Sequence, residues 1–280
     1  MSIIIADSGS TKCEWSIITN GKKKSLTTTG MSPYFMTKDQ IVEMLQKELT
    51  PKIKNVEASE VHYYGTGISN PENVKILKGA LKKIFPSATT VNAHSDLLAA
   101  ARALCGHEKG IACILGTGSN SCYYNGKKIM HNSPGLGYVL GDEGSGSYLG
   151  KKVIQYYLYN TFDEDLKAAF ESHFNTNSVE ILDNVYRKPY PNRYLASFTT
   201  FLSAYRGHFM VENILEDGLN DFFFYHLNKY PQSWTSPIHF VGSISFVFKD
   251  VIKELANSYQ LEIGKILKAP MEGLVDYHQA

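Results

Sequence analysis

The sequence predicts an α/β protein built from two domains of similar plan, and three observations lead to this class. Apolar runs of strand length alternate with segments of helical periodicity, which is typical of layered α/β folds. The segment 3–23 is echoed at 111–128, and each copy has an apolar strand, a small-residue turn, a second strand and an Asn-Gly-Lys-Lys ending. The length of 280 residues suits one large domain or two of ordinary size.

The repeat becomes a match of individual residues when the two segments are superposed with a shift of 109 positions. The shared glycine turn, second strand and hairpin signal together indicate duplicated units. The identical pairs at this shift include Gly9 with Gly118, Ser10 with Ser119 and Cys13 with Cys122.

The segments between and after the two copies continue the alternation of strands and helices. Between the copies, the pattern predicts helices at 38–49 and 73–85 and strands at 61–65 and 89–93. After the second copy, it predicts helices at 147–162, 164–174, 178–187, 193–205 and 211–230. A strand at 238–241, a helix at 246–259, a strand at 262–267 and a short helix at 270–278 complete the prediction.

Domain boundaries follow from the repeat. We predict a first domain at 1–110 and a second at 111–267, with a helical insert at 147–230. The C-terminal helix, 268–280, is expected to return to the first domain. The insert is also a candidate interface for a homodimer.

Composition and charge exclude several classes of function. Lys and Arg number 28 against 27 Asp and Glu, a balance that lacks the positive field typical of nucleic-acid binding proteins. No apolar run approaches the roughly 18 residues of a membrane-spanning helix, and the N-terminus has no signal-peptide pattern. We therefore expect no nucleic-acid or membrane partner and a cytoplasmic location. The four cysteines lack CxxC spacing and are predicted to be reduced core thiols.

The turn of the first copy has the composition of a phosphate site. Ser8, Gly9, Ser10, Thr11 and Lys12 follow an apolar strand, and their N–H groups, hydroxyls and ammonium can converge on an anion. A tight hairpin is the structural alternative.

Asp7 ends the strand beside this turn, where a carboxylate suits hydrated Mg²⁺ or merely stabilises the turn. The second copy offers the same phosphate chemistry at Gly116, Thr117 and Gly118. If the two domains face each other, the two turns enclose one polyphosphate.

A third turn, Gly242-Ser243, follows a late strand, and its glycine would let the backbone approach a flat adenine. The three turns, Asp7 to Lys12, Leu115 to Asn120 and Val241 to Ser243, occur in the order of the phosphate-1, phosphate-2 and adenosine motifs of the actin/Hsp70/sugar-kinase superfamily. Within it, the chain resembles the BadF/BadG/BcrA/BcrD ATPase-type family and, most closely, its N-acetylglucosamine kinase branch. Two further segments support that branch: Gly135 to Ser145, and His94-Ser95-Asp96 before an Ala-rich helix.

The resemblance implies two ribonuclease-H-like (actin-like ATPase) domains with an interdomain cleft, and ATP with Mg²⁺ as cofactors. It places Asp96 at the position of the catalytic base, which accepts the alcohol proton during phosphoryl transfer. Helix N-capping is the alternative role, and the helix dipole is expected to keep this carboxylate ionised.

The implied substrate is a small amino sugar, an N-acetylhexosamine phosphorylated at a hydroxyl, with C6 as the expected position. Asp142 and Glu143 suit hydrogen bonds to sugar hydroxyls, or the helix dipole alone. The resemblance adds Ser119, Asn120 and Gly135 to the sugar site. One departure concerns the loop Ser32 to Phe35, which lacks the Asn that contacts the hexosamine in animal enzymes.

Two other functions stay open at the level of sequence. One is an ATPase activator of the 2-hydroxyacyl-CoA dehydratase type, which needs exposed cysteines to hold an iron–sulfur cluster. The other is a nucleotide-binding switch without catalysis, because a fold alone does not determine function.

Overall fold

The structure is a computed structural model that describes residues 2–9, 12–54, 56–68 and 70–280. The chain divides into two compact units. Unit 1 comprises Met1–His107 and Pro270–Ala280, and unit 2 comprises Glu108–Ala269.

Unit 1 is organised around a mixed five-stranded sheet. Its strands are β1 Ser2–Ser8, β2 Lys12–Thr19, β3 Lys22–Thr29, β4 Ala58–Gly65 and β5 Thr90–Ser95. The order is β3-β2-β1-β4-β5, with antiparallel pairing from β1 to β3 and parallel pairing of β1, β4 and β5.

Helices cover both faces of this sheet because β1 is apolar on both sides, as expected of a strand with parallel neighbours. The helices are α1 Lys38–Glu48, α2 Pro71–Ile84, α3 Asp96–Cys105 and the C-terminal helix Met271–Gln279. Ile4 packs with α1 and α2, whereas Ile5 packs with α3 and the C-terminal helix. Gly273 lies so close to the carbonyl of Ala103 that any Cβ there would collide with it.

Unit 2 contains a second five-stranded sheet. Its strands are β6 Lys109–Leu115, β7 Ser119–Asn125, β8 Ile129–Ser133, β9 Ile238–Val241 and β10 Ile263–Leu267, in the order β8-β7-β6-β9-β10. Strand β6 is antiparallel to β7 and parallel to β9, as β1 is to β2 and β4.

The helices of unit 2 enclose an aromatic core against this sheet, with Phe170, Phe201 and Phe222 fully buried beside Phe240 of β9. They are α4 Gly137–Leu140, α5 Gly146–Leu158, α6 Glu164–Phe174, α7 Ser178–Tyr186, α8 Pro191–Ser197, α9 Thr199–Ala204, α10 Phe209–Tyr225, α11 Ser243–Val247 and α12 Lys249–Ser258. The C-terminal helix of unit 1 is therefore α13.

The common strand order confirms two α/β units of one plan, but it corrects the predicted superposition. Ser8 of β1 pairs with Cys13 across the first turn, and Leu115 of β6 pairs with Ser119 across the second, so Cys13 corresponds to Ser119. Four residues separate the first pair and three separate the second, so no single offset superposes both strands. The identity of Cys13 with Cys122 is thus not one of structural position.

Four predicted helices are divided or several residues shorter in the structure, and the one predicted at 147–162 ends as α5 at Leu158. The predicted helix 193–205 is two helices, α8 and α9, and the predicted helix 211–230 ends at Tyr225. The predicted helix 246–259 is preceded by α11 and begins as α12 at Lys249. Apolar periodicity runs through such breaks because the successive short helices pack on the same core.

Two further features concern the length of the helices and the burial of the thiols. Within the described residues, no helix is both long enough and apolar enough to cross a membrane. All four cysteines are buried.

Candidate functional site

The turn between β1 and β2 closes through a hydrogen bond from the Gly9 N–H to the Lys12 carbonyl, 3.0 Å long. Ser10 and Thr11, predicted to bind phosphate, lie outside the described residues. The Ser8 hydroxyl is buried and accepts a hydrogen bond from the Met31 N–H at 2.9 Å, so this side chain anchors the loop after β3. Gly9 and Lys12 are exposed at the turn.

Asp7 lies at the end of β1 in an unusually acidic setting. The pKa of its carboxyl is raised to about 7, first by burial and then by the negative charges of Asp96 and Glu14. The positive charge of Lys12 acts in the opposite direction. A carboxylate in this setting is stabilised by any additional positive charge.

Asp96 occupies the first turn of α3. Ser95 is the N-cap, since its hydroxyl accepts a hydrogen bond from the Leu98 N–H at 3.2 Å, so Asp96 is not needed as the cap. Its Oδ1 accepts a hydrogen bond from the Leu97 N–H at 2.8 Å. Burial raises the pKa of Asp96, with backbone N–H groups opposing it. Burial and the helix start therefore act in opposite directions on the pKa of this carboxyl.

Strand register explains why the two acids of unit 1 interact. Ser8 pairs with Gly65 of β4, and Gly65 pairs with Ser95 of β5, so the three strands end in one row. Because the carboxyl ends of parallel strands share one edge of the sheet, Asp7 and Asp96 lie at that edge. Unit 1 thus presents two carboxyl groups with raised pKa values beside a glycine turn.

The turn between β6 and β7 is Gly116 to Gly118, closed by a 3.0 Å hydrogen bond from the Gly116 N–H to the Gly118 carbonyl. The first N–H groups of α5, at Gly146 and Ser147, donate to the carbonyls of Gly116 and Thr117 at 2.8 and 3.0 Å. These bonds satisfy N–H groups that a helix start leaves unpaired, and they fix the turn on unit 2.

Asp142 lies against this turn. It has a positive φ of 57°, and its Oδ1 accepts a hydrogen bond from the Gly137 N–H at 3.0 Å. A Cβ on Gly118 would come within 2.7 Å of Asp142 Oδ2, and one on Gly135 within 2.8 Å of Oδ1. Burial raises the pKa of Asp142, while the N–H groups of Gly137 and Ser119 lower it. The glycines thus make room for this carboxylate.

Helix capping does not account for the two acids of this loop. The N-cap of α5 is Ser145, which accepts a hydrogen bond from the Tyr148 N–H at 3.2 Å. Asp142 and Glu143 precede the cap, so neither of them is the N-cap of α5.

Ser119 and Asn120 begin β7 and differ in how their side chains are engaged. The Ser119 hydroxyl is buried and has no hydrogen-bond partner among the described residues. The Asn120 Oδ1 accepts from the Ser121 N–H at 2.9 Å and from the Asn132 amide at 2.8 Å. Ser119 is therefore the group at this strand that a ligand would complete.

Glu143 has a partner that sequence reasoning missed. His226, just after α10, places Nε2 at 3.3 Å from Glu143 Oε2, and its ring stacks on Phe222. The two residues lie 83 positions apart. A lone histidine near a helix end carries no local signal, so the sequence offered no route to it.

Gly242 has a structural reason to be glycine. Its φ is 130°, and a Cβ would collide with the carbonyl of Leu115, at the end of β6. The contact with the end of β6 therefore requires glycine at position 242, whether or not adenine binds there. Ser243, the first residue of α11, is exposed beside it.

The loop after β3 carries two exposed aromatic residues. Tyr34 and Phe35 are 61% and 84% exposed. Gly67 lies directly against the Tyr34 ring, since a Cβ there would come within 2.8 Å of it. Ser32 is buried and Tyr34 is exposed, so the two hydroxyl groups of this loop have different environments.

Comparison with known proteins gives one close match. A crystal structure of a Porphyromonas gingivalis protein, provisionally named an N-acetylglucosamine kinase, is 38% identical with a TM-score of 0.93, and the match covers 99% of this chain and 98% of that one. The ADP-bound MreB5 of Spiroplasma citri matches 99% of this chain and 95% of its own at 11% identity and a TM-score of 0.58. The latter likeness identifies the fold as that of the actin-like ATPases.

A curated relative is more distant. The N-acetylmuramic acid/N-acetylglucosamine kinase of Clostridium acetobutylicum is 27% identical over 201 residues, which are 67% of this chain and 65% of that protein. The match thus spans slightly less than two thirds of the length of that relative. No protein-family model matches the chain.

Proposed function

The chain belongs to the N-acetylglucosamine kinase family, and from this premise we propose that it transfers the γ-phosphoryl group of ATP to a hydroxyl of an N-acetylhexosamine. N-acetylglucosamine is the first candidate substrate and its C6 hydroxyl the first candidate acceptor. Membership of the wider BadF/BadG/BcrA/BcrD ATPase-type group is part of the same proposal. It rests on the three turns of the sequence.

The observation that carries the proposal is the pair of acids at one sheet edge of unit 1. Asp96 is held by the Leu97 N–H and has a pKa raised by burial, which improves a carboxylate as a proton acceptor. In this role it takes the proton of the sugar hydroxyl and directs the oxygen towards the phosphorus. Because Ser95 caps α3, the geometry of Asp96 does not depend on a capping role.

Asp7 is the residue that fits a hydrated magnesium ion. Its pKa of about 7 reflects a buried carboxyl among other acids, a setting that a divalent cation would relieve. No group of three or more potential metal-ligating side chains occurs in the described part of the chain, so water and phosphate oxygens would complete the coordination. When bound, Mg²⁺ would neutralise charge on the transferring phosphate. Asp7 would hold it through water.

The phosphates of ATP fit the two glycine turns. A Cβ on Gly116 would meet open space, and one on Gly9 only the Lys12 carbonyl at 3.7 Å, so both turns leave room for an anion. Gly118 and Thr117 complete the second turn. The Lys12 ammonium, with Ser10 and Thr11, would contribute from the first turn. Gly242 and Ser243 are assigned to the adenosine by sequence motif.

The sugar would bind to the acids of unit 2. Asp142 and Glu143 offer carboxylate oxygens, which are strong acceptors for sugar hydroxyls. The unpartnered Ser119 hydroxyl supports a polar ligand at this place, since a buried hydroxyl is costly without a partner. Asn120 and Gly135 would line the same site.

The test is ADP release with Mg-ATP, measured across N-acetylglucosamine, N-acetylmannosamine, N-acetylmuramic acid, glucosamine and glucose. We expect one N-acetylated sugar to stimulate turnover and Asp96→Asn to lower it about 10²-fold or more. Nucleotide binding by the variant should be unchanged. If no sugar stimulates ADP release while nucleotide binds, the kinase proposal fails, and an ATPase activator or nucleotide switch is the better account.

A further inference from the structure

Behind Glu143 lies a chain of buried polar groups that the proposed reaction does not use. Ser121, His226 and Tyr230 are 0%, 2% and 2% exposed, and they meet on the inner side of β7 and β8. Strands β7 and β8, the loop of Glu143 and the segment after α10 contribute to this network. Buried polar networks of this kind are retained only when each group is satisfied.

The contacts form a continuous path. The Ser133 N–H donates to the Tyr230 hydroxyl oxygen at 2.6 Å, and that hydroxyl lies 2.9 Å from Ser121 Oγ. Ser121 Oγ lies 3.3 Å from His226 Nδ1, and His226 Nε2 lies 3.3 Å from Glu143 Oε2. The path therefore runs from a backbone N–H to a carboxylate.

The direction of the protons follows from its two ends. A backbone N–H only donates, so the Tyr230 oxygen accepts there, and Ser121 Oγ, 2.9 Å away, is placed to accept the Tyr230 proton. The Ser121 proton has two acceptors within reach, His226 Nδ1 at 3.3 Å and the Ser133 carbonyl at 3.5 Å, and the shorter contact leaves the ring proton on Nε2, facing Glu143. The opposite tautomer would direct an Nδ1–H to the Ser133 carbonyl at 3.3 Å, but an unprotonated Nε2 would then face carboxylate oxygens.

We propose that Tyr230 and Ser121 fix His226 as the neutral Nε2–H tautomer, so that its ring donates to Glu143 and holds this carboxylate in the orientation that binds the sugar. His226 is thus a positioning residue for substrate affinity. The proposal rests on the proposed kinase function for its effect on the sugar, but the tautomer itself does not depend on catalysis. Stacking on Phe222, with ring centroids 4.6 Å apart, fixes the plane of the imidazole.

The direct test is ¹⁵N nuclear magnetic resonance of histidine-labelled full-length protein at pH 7.5, with the His226→Gln spectrum used to assign the His226 signals. We expect an Nε2–H neutral ring in the wild type and a mixture of tautomers in Tyr230→Phe. An Nδ1–H ring or an imidazolium in the wild type overturns the proposal, whether or not the protein is an active kinase.

Steady-state kinetics supply a second, independent reading. Loss of one hydrogen bond is worth about 0.5–1.5 kcal/mol, so Tyr230→Phe should raise the KM for the sugar about 2- to 12-fold, with kcat and the KM for ATP unchanged. His226→Leu should raise the KM for the sugar more than Tyr230→Phe does. His226→Gln should keep most of the affinity for the sugar, because its amide can still donate to Glu143. Tyr259→Phe is the matched control, because that hydroxyl bonds Asn220 at 2.8 Å outside the path.

The kinetic outcomes separate the two proposals. One outcome is that Glu143→Gln raises the KM for the sugar while Tyr230→Phe leaves this KM as unchanged as Tyr259→Phe does. The positioning role is then wrong and the kinase function stands. If the wild type shows no sugar-dependent turnover, the kinase function is wrong. The resonance measurement alone then decides whether Tyr230 and Ser121 fix the tautomer of His226.

Discussion

In unit 1 the chain passes from β3 to β4 through α1 and a short 3-10 turn, whereas in unit 2 the equivalent passage from β8 to β9 contains helices α4 to α10. The acids also differ in their support. Asp7 and Asp96 lie directly at the end of a strand and the start of a helix, but Asp142 and Glu143 lie on an irregular segment. That segment is held by hydrogen bonds to Gly137 and His226. The comparison teaches that one sheet plan can present acids in two ways. In unit 1 a strand and a helix position the acids, whereas in unit 2 the irregular segment between α4 and α5 positions them.

The glycine that follows β9, Gly242, gives the largest expected effect. Gly242→Ala combines a φ of 130° with a collision against the Leu115 carbonyl, so we expect it to destabilise unit 2 by several kcal/mol. Gly207→Ala is the matched control, because its φ is 89° but a Cβ there meets no atom within 4 Å. It should cost only about 1 kcal/mol. Denaturant unfolding of both variants gives the difference, and equal losses would contradict the close approach of β6 and β9.

Asp142→Asn tests the support of the second unit. Hydrogen bonds to charged groups are worth about 1.5–3 kcal/mol, so its loss of charge should raise the sugar KM about 10- to 100-fold. The KM for ATP should change little if Asp142 serves the sugar. A shift in the ATP constant instead would place this carboxylate with the phosphates, as its contact with Gly118 would allow.

Lowering the pH should destabilise unit 1, because this unit contains a cluster of three histidines, His62, His94 and His278. His62 and His278 stack with ring centroids 3.9 Å apart, and His278 Nε2 lies 2.8 Å from the Tyr64 hydroxyl. Burial lowers the pKa of His278 to about 3 and that of His94 to about 4, and it also lowers the pKa of His62. These rings bind protons more readily when unfolded. Their contribution to stability is therefore present above about pH 6.5 and is lost as pH falls towards 3 to 4.

His278→Gln should reduce this loss, so its melting temperature should fall less than that of the wild type, by a few degrees, between pH 7 and 4.5. The raised pKa values of Asp7 and Asp96 act in the opposite direction but are common to both proteins. A Trp234→Phe background leaves Trp15, which is fully buried in unit 1, as the fluorescent reporter. Equal acid sensitivity of the two proteins would show that the cluster does not titrate as described.

The smallest effect is expected from two buried hydroxyls. Ser16 of unit 1 and Ser119 of unit 2 have no hydrogen-bond partner among the described residues. Replacing either by alanine should leave stability unchanged or raise it by up to about 1 kcal/mol. Only Ser119→Ala should also weaken sugar binding, by a few-fold. If Ser16→Ala has the same effect on the sugar constant, the assignment of Ser119 to the site is wrong.

Much of the architecture could be predicted because it depends on local patterns. Strand β9 and helix α6 have the predicted bounds, since an apolar run and an amphipathic period define them directly. The correspondence between the copies could not be fixed, because the sequence does not reveal that their first turns differ in length by one residue.

The site was predictable only in part, for a related reason. Asp7, Asp96 and Asp142 stand beside strand ends or glycine turns, where a pattern marks them. His226 and Tyr230 gain their positions from tertiary packing of α10 and the segment after it on β7 and β8, and no local spacing encodes such contacts.

The central proposal is that Asp96 accepts the proton of the sugar hydroxyl and that Glu143 binds the sugar. It is tested most directly by measuring kcat and the sugar KM for Asp96→Asn and Glu143→Gln side by side at saturating Mg-ATP. We predict that Asp96→Asn loses about 10²-fold or more in kcat with a nearly unchanged KM. For Glu143→Gln we predict a raised KM with most of kcat retained. The account is contradicted if Asp96→Asn keeps its turnover, or if both variants change the same constant by the same factor.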